Sequence, residues 1–290
     1  MTSLTSDRRS GAIVFNEVAA EYDRHRPAYP DELIAHACEV AGSERGDAVL
    51  EIGCGTGQLT RSLVDRGLRV VAVEPGRRLA ELAQRNLGRT GGVEFVNARF
   101  EDAQLPRGRF RAVFSAAAFH WAAPDVSWEK AAHVLAPGGT LALIQHCGRQ
   151  AEAGLDDQAT LLAAIGRIAP ELAAGWPTYR DLADILEGAE QRRKNVSEVW
   201  EWVGSQDVAR AYAKRLFGDA QLVCVPEIAE HTAEELNDLL RTASFYHRLS
   251  PEQQHALESE HLALYERLGR RIRSSMVAVL VTARRSGPPG

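Results

Sequence analysis

"AVLEIGCGTGQLT", residues 48–60, carries an apolar run into a glycine cluster and out into a helical pattern. Strand, glycine turn and helix in that order make a nucleotide-binding turn. The dinucleotide fingerprint asks for G-x-G-x-x-G. Here the glycines are Gly53, Gly55 and Gly57, and Gln58 stands where the third is due. The third glycine comes one residue early. An acid, Glu51, also precedes the first glycine by two residues.

Outward from that turn, short apolar runs alternate with helical patterns. Strands are expected at 48–53, 69–74, 92–97, 111–116 and 139–145, and helices at 58–66, 77–86 and 126–135. Repeated strand–helix units imply a parallel sheet with right-handed crossovers and helices on both faces. "PGG" at 137–139 reads as a turn before the fifth strand. Two helical patterns, 12–22 and 31–41, precede the first strand; "DRHRPAYP" separates them, with Pro27 and Pro30 as breakers. After residue 150 strand signals fade. Residues 151–220 hold amphipathic pieces such as "YRDLADILEGA", "VSEVWEWV" and "DVARAYAKRL". An extended stretch (220–231), helices near 233–244 and 251–268, and a last strand at 276–283 follow. Residues 1–150 and 221–285 are therefore expected to form one α/β core. Residues 151–220 are expected to be a helical insertion capping the strand ends, and 286–290 a disordered tail.

Composition narrows the class. The 290 residues are 45% hydrophobic and 25% charged, ordinary for a soluble globular protein, with net charge −5 and pI near 6.0. Short basic groups at 192–194 and 270–273 are balanced by acids, which disfavours nucleic acid as a partner. Cys38, Cys54, Cys147 and Cys224 are scattered without C-x-x-C spacing, so no metal site is expected and the thiols read as reduced in a cytoplasmic protein. The N-terminus lacks an apolar signal core, and no run approaches the roughly 18 apolar residues of a membrane helix. Composition does not distinguish a monomer from a homodimer.

The acids bear on the ligand. A pyrophosphate uses the free N–H groups of a helix start and the later third glycine. The tighter spacing, with Glu51 ahead of it, suits a nucleoside that has no phosphate and bears a charged amino-acid arm. S-adenosylmethionine is such a molecule. Glu74 closes the second strand, 21 residues after Gly53, where an acid bonds ribose hydroxyls. An NAD site or a purely structural turn is the competing reading.

These motifs together resemble the class I S-adenosylmethionine-dependent methyltransferases, in their small-molecule branch. "VLEIGCGTG" resembles that family's first motif, "VVAVEPG" (70–76) its second-strand motif and "FEDAQLP" (100–106) its third-strand motif. "FHW" (119–121) and "AAHVLAPGGTLAL" (131–143) resemble the end of the fourth strand and the approach to the fifth. "FNEVAAEYDRHRPAYPDEL" (15–33) and "LLRTASFYHRLSPE" (239–252) are similar to a subgroup of trans-aconitate-type enzymes. The resemblance implies a Rossmann-like, seven-stranded, mostly parallel sheet of order 3-2-1-4-5-7-6 with an antiparallel last strand. It also implies roles: Gly53 and Gly55 against the methionine arm, Glu51 orienting the ammonium, and Glu74 on the ribose. Pro75 would flank the adenine, with Phe100 and Glu101 contacting it. Tyr22 and Arg26 would reach the cofactor carboxylate or pack the N-terminal segment. Two positions depart from the pattern. Arg111 stands where relatives often carry Asp, and Arg99 where some carry an acid for the adenine amine.

A sulfonium methyl is already activated, so the protein's task is alignment and exclusion of water. A base is needed only for a nucleophile that arrives protonated. His120, after the fourth strand, is a candidate base or pocket lining; His146, ending the fifth, is a second candidate. His133, on a helix, reads as structural. The Asn/Asp-Pro-Pro-Tyr/Phe motif for planar nucleic-acid amines is absent. Trp176, Tyr179, Trp200 and Trp202 can line a pocket or form the insertion's own core. The expected activity is methyl transfer to O or N, less so C, of a small molecule. Abundant alanine and arginine suggest a GC-rich bacterial gene and specialised metabolism. The alternatives are a tRNA or protein methyltransferase, or a cofactor-binding cyclase or binding protein that moves no methyl.

Overall fold

The computed structural model describes residues 15–88, 91–151, 154, 156–173, 179–204 and 212–287. Seven strands form one sheet in the order β3-β2-β1-β4-β5-β7-β6. They are β1 (Ala48–Ile52), β2 (Arg69–Val73), β3 (Val93–Val96), β4 (Phe110–Ala116), β5 (Leu135–Gly148), β6 (Gln221–His231) and β7 (Ile272–Arg284). β1 to β5 pair in parallel, and β7 runs antiparallel to both β5 and β6. The sheet is the one expected from sequence. Because the β1–β2, β2–β3 and β4–β5 connections each pass through a helix, the loops at the carboxyl ends of β1, β2 and β4 converge, and the turn at 53–57 sits among them.

Side-chain alternation along the strands builds two cores. On one face Val49, Val70, Ala72, Ala112 and Phe114 meet helices α2 (Asp31–Ala41) and α3 (Gln58–Asp65). On the other, Leu50, Val71, Val113, Leu141 and Val279 meet α5 (Pro124–Val134). The helix α1 (Ala19–His25) lies ahead of α2 and touches α4 (Arg77–Leu87). Pro27 and Pro30 break α1 from α2 as expected: Arg26 is already extended, and Asp31 opens the next helix. Residues 12–14 of the first expected helix lie outside the described residues.

β5 starts earlier than the "PGG" turn suggests. Leu135 pairs with Phe110 and Thr140 with Ala112, so residues 136–139 buckle out of a continuous strand as a bulge.

The expected cap divides in two. α8 (Leu182–Arg192) and α9 (Val196–Gly204) do not cover strand ends. Ile185, Ala189, Val199, Trp200 and Val203 are buried in the sheet-face core with Leu143 and Val279. They follow the apolar face of β5 and β7, which no other described helix covers as far as the sheet edge. The strand ends are approached instead by α6 (Gln158–Ile168), α10 (Ala233–Arg241) and α11 (Pro251–Leu268), with α7 (Pro170–Ala173) as a short link. Leu161, Leu236 and Leu264 pack with Ile272 at the start of β7, which extends past the end of β5. Asp157 fastens this group: it accepts two hydrogen bonds from Arg270 at 2.9 Å each and one from the Arg273 backbone at 2.8 Å. Helices expected in the core thus share the capping position with half of the insertion. "DVARAYAKRL" is corrected too. Residues 207–211 lie outside the described set, and 212–217 form turns with Ala213 and Phe217 buried against the sheet. Residues 288–290 of the expected tail also lie outside it.

Candidate active site

The glycine turn is tied to β2 before it leaves the sheet. The Gly53 and Cys54 N–H groups both donate to the Val73 carbonyl, at 2.8 and 3.2 Å. Gly53 has φ of +71°, and a Cβ there would overlap the Ala118 methyl of the loop after β4. Only glycine combines that backbone conformation with so close an approach. The early third glycine, Gly57, caps α3 in the left-handed region; a Cβ there would lie 3.3 Å from that of Ala83 on α4. Its spacing therefore serves packing between α3 and α4.

Two buried carboxylates flank the turn. Glu51 is 1% exposed and accepts a 2.6 Å hydrogen bond from Thr60 Oγ1. Burial pushes its pKa up to about 7; Thr60 pulls the other way and nearby Glu74 adds to the rise. Glu74 is 6% exposed. One of its oxygens accepts from Gly55 N at 3.0 Å and the other from Gly76 N at 2.8 Å. Burial raises its pKa against those two bonds. Asn97 Nδ2 donates to the Glu74 carbonyl at 2.7 Å and reaches that of Pro75 at 3.3 Å, which joins the β2 and β3 ends.

The N-terminal segment lies over this turn. Gln58 Nε2 donates to the Arg26 carbonyl at 3.4 Å, and Arg26 sits 5.2 Å from the Tyr22 ring centroid. Arg26 Nη2 donates to the Thr242 carbonyl after α10 at 2.9 Å, while its Nε is buried with no partner. Burial raises the Tyr22 pKa; Arg26 opposes the rise and Glu74 adds to it, which puts the phenol within electrostatic reach of both. Tyr22 and Arg26 thus join Glu51, Glu74, Gly53 and Gly55 around one turn.

Phe100 and Glu101 are placed otherwise than expected. The Phe100 ring is buried in the sheet-face core, with the Lys130 ammonium 5.3 Å above it, so its edge is not free for an adenine. Glu101 Oε1 accepts from Ala123 N at 2.5 Å and from Arg99 at 3.0 Å. Burial pushes that carboxyl up, but the Ala123 bond, its own backbone N–H and Arg99 outweigh it and hold the pKa low. Ala123 is the N-cap of α5, so Glu101 braces the β3 loop against the loop after β4. Arg99, where an acid was awaited, is part of that brace.

At the β4 end, Ala117 has φ of +49° and Phe119–Trp121 make one 3-10 turn. Phe119 is buried edge-on to Trp128, with ring centroids 4.7 Å apart. Trp121 meets Phe15 edge-on at 5.5 Å, and Phe15 meets Tyr22 at 5.8 Å. Half-buried His120 lies 5.0 Å from the Trp121 ring. His146 belongs to β5. It lies on the α2 face of β5, stacked on Tyr29 at 4.8 Å with 8° between the rings. Its Nε2 stands 3.2 Å from Glu227 of β6, off-axis and without an aligned hydrogen bond. Burial, with Arg26 adding, lowers its pKa to about 4, so the imidazole is neutral at pH 7. Burial raises the Tyr29 phenol, and Tyr22, Arg26 and Glu51 all act on it.

Tyr29 and Glu227 were missed from sequence. Tyr29 carried a signal, a tyrosine held rigid between Pro27 and Pro30. Glu227 carried none, since its meeting with His146 depends on pairing across β7. Of the four aromatic candidates, Trp200 is core. Trp202 is clamped between Arg180 and Arg192, at 3.7 and 4.1 Å, and donates to the Ile185 carbonyl at 3.0 Å. Trp176 lies outside the described residues. Tyr179 alone reaches the end of β5, packed over Gly148 so closely that a Cβ there would overlap its ring. Among the described residues no cluster of His, Cys, Asp and Glu is arranged to hold a metal, and no helix is long and apolar enough to cross a membrane.

Residues 50–143, from β1 through most of β5, match the family model of the methyltransferase domain. Residues 50–143 thus carry a methyltransferase domain. An uncharacterized methyltransferase of Mycobacterium tuberculosis is 36% identical over 141 residues, 49% of this chain and 55% of that protein. The chain thus spans about half the length of the curated mycobacterial relatives it matches. Among solved structures, one described as a type II methyltransferase from Anaeromyxobacter dehalogenans aligns with TM-score 0.58 and 22% identity, covering 89% of this chain and 97% of that one. The [4+2]-cyclase SpnF aligns with TM-score 0.53 and 14% identity over 97% of each chain. These two likenesses concern the fold alone. The second is instructive, because methyltransferase-like folds serve other chemistry.

Proposed function

We propose that the protein transfers a methyl group from S-adenosylmethionine to an O or N nucleophile of a small-molecule acceptor. The observation that carries this reading is the charge pattern of the glycine turn. Two buried carboxylates, Glu51 and Glu74, flank it, and a buried Arg26 Nε has no partner. Glu51, directly ahead of the turn, disfavours a pyrophosphate. The two acids suit an ammonium and a pair of ribose hydroxyls, and the arginine suits a carboxylate. In this reading Glu51 orients the amino group and Glu74 uses its remaining lone pairs on the ribose. Arg26, steadied by Tyr22, takes the carboxylate through Nε. Pro75 borders the base, with Phe100 and Glu101 supporting its loop from below. The bound cofactor supplies a methyl on a sulfonium that departs as a neutral thioether.

The chain's own part is then to align, exclude water and accept a proton. Phe15, Trp121 and Tyr22 form a continuous edge of rings over the turn. The α6, α10 and α11 group acts as the cap. His146, neutral at pH 7, has a lone pair to accept a proton; His120, beside Trp121, lines the acceptor pocket. The net charge of −5 and the helical cover over the strand ends favour a small acceptor over RNA. The test is product analysis with methyl-labelled cofactor against a panel of hydroxyl and amine acceptors and bulk tRNA. Label in small products and S-adenosylhomocysteine release support the reading; label in tRNA alone overturns the acceptor class. Cofactor that binds but is never consumed with any acceptor favours a protein that moves no methyl.

A further inference from the structure

Glu227 and Tyr29 both converge on His146. The strand register explains how. Ala278 of β7 pairs with His146 on one side and with Val225 on the other, so Glu227, two residues further along β6, lies on the same face. Ala278 is small and lets the two side chains meet over it. Tyr29 closes the opposite side by stacking, with Pro27 and Pro30 fixing its backbone. The charged and titratable groups facing the imidazole are Arg26 and Tyr29 from the loop before α2 and Glu227 from β6, whose own carboxyl feels Glu32 of α2. The imidazole Nε2 is buried without an aligned partner although a carboxylate oxygen stands 3.2 Å away. A buried polar atom left within reach of a partner but not bonded marks a place where a state other than the resting one is accommodated.

We propose that Glu227 and Tyr29 are positioning residues that hold His146 with Nε2 toward the Glu227 carboxylate, leaving Nδ1 as the atom that takes the acceptor's proton. The proposal rests on the methyl-transfer reading above. In the step, the acceptor oxygen or nitrogen forms its bond to the methyl carbon as the carbon–sulfur bond breaks. The electron pair of that bond stays on sulfur, which leaves neutral. The acceptor's proton passes to Nδ1. The imidazolium then carries N–H on both nitrogens, and the Glu227 carboxylate turns onto Nε2–H to complete a charge-assisted bond. Tyr29 keeps the ring plane fixed while this happens.

The test needs no acceptor. Nitrogen-15 NMR of the imidazoles at pH 7 reads the tautomer of His146 in the whole protein. The proposal predicts Nε2–H as the dominant form in the wild type. Glu227→Ala is expected to shift the tautomer ratio severalfold, because a carboxylate 3.2 Å away favours N–H on the nearer nitrogen even without an aligned bond. Glu227→Gln, which keeps an acceptor oxygen, is expected to restore most of that preference. Tyr29→Leu is expected to broaden or split the His146 resonances with the wild-type tautomer retained. An Nδ1–H tautomer in the wild type, or an unchanged ratio in Glu227→Ala, overturns the proposal. Calorimetry with S-adenosylhomocysteine on the same samples separates the two readings. Wild-type protein that fails to bind it removes the methyl-transfer reading whatever the tautomer. Retained binding in Glu227→Ala with an altered tautomer supports the positioning role.

Discussion

The two ends of the site are built on opposite plans. Around β1 and β2 every carboxylate has its partners nearby in sequence. Thr60 serves Glu51, and Gly55 and Gly76 serve Glu74. Around β5 and β6 the polar groups come from distant segments and remain partly unmet, as with His146 Nε2 and Gln145 Nε2. The first region is a preformed frame, because a cofactor must be held in one geometry. The second is held ready for a group whose charge changes during a reaction. Satisfied polar groups stabilise a fold, whereas unsatisfied ones cost stability and are kept where function uses them.

Substitutions in the frame should therefore be the most damaging. Gly53→Val combines an unfavourable φ of +71° with overlap on Ala118 and should cost about 4 kcal/mol or abolish soluble expression, read by thermal melting. A mild effect would mean that the two loops are not locked together. Next comes Glu74→Ala, which strands two backbone donors; a loss of roughly 2–4 kcal/mol in stability is expected by chemical denaturation. If stability holds while binding of S-adenosylhomocysteine disappears, the residue belongs to the ligand more than to the frame.

The acid–base groups give intermediate effects of opposite sign. Glu51 has a folded pKa of about 7, above the ~4.3 of an unfolded glutamate. Its contribution to stability is full below the lower value and lost as pH rises through the upper one. The ligand-free protein should thus lose on the order of 2–3 kcal/mol relative to Glu51→Gln between about pH 4.5 and 7. His146 runs the other way. Its folded pKa of about 4 lies below the ~6.5 of an unfolded histidine, so its contribution is present above the higher value and lost as pH falls through the lower. His146→Phe should flatten the acid limb of a melting-temperature profile between those values. The smallest effect is expected at Arg99→Ala. That exposed half of the Glu101 brace should be worth about 0.5–1 kcal/mol, because the Ala123 N–H remains.

The same contrast explains what could be read from the chain. The glycine turn, Glu51 and Glu74 were legible because strand, turn and helix place them by local rules. The parallel sheet followed from the alternation of elements, and its order from the family resemblance. The division of residues 151–220 was not legible: amphipathic helices look alike whether they cover a sheet face or a strand end, and Trp200 and Trp202 fit either. The Phe100 ring and the Glu101 carboxylate turn inward through contacts with Lys130 and Ala123, more than twenty residues away. Glu227 was invisible because its partner lies two strands across the sheet.

Calorimetric titration of S-adenosylhomocysteine near pH 6.5, in buffers of different ionisation enthalpy, tests the central claim most directly. An ammonium arriving beside a half-protonated Glu51 should expel its proton. The account therefore predicts binding with release of up to one proton, and Glu51→Gln should abolish the release. No binding, or binding of a dinucleotide in its place, would contradict it.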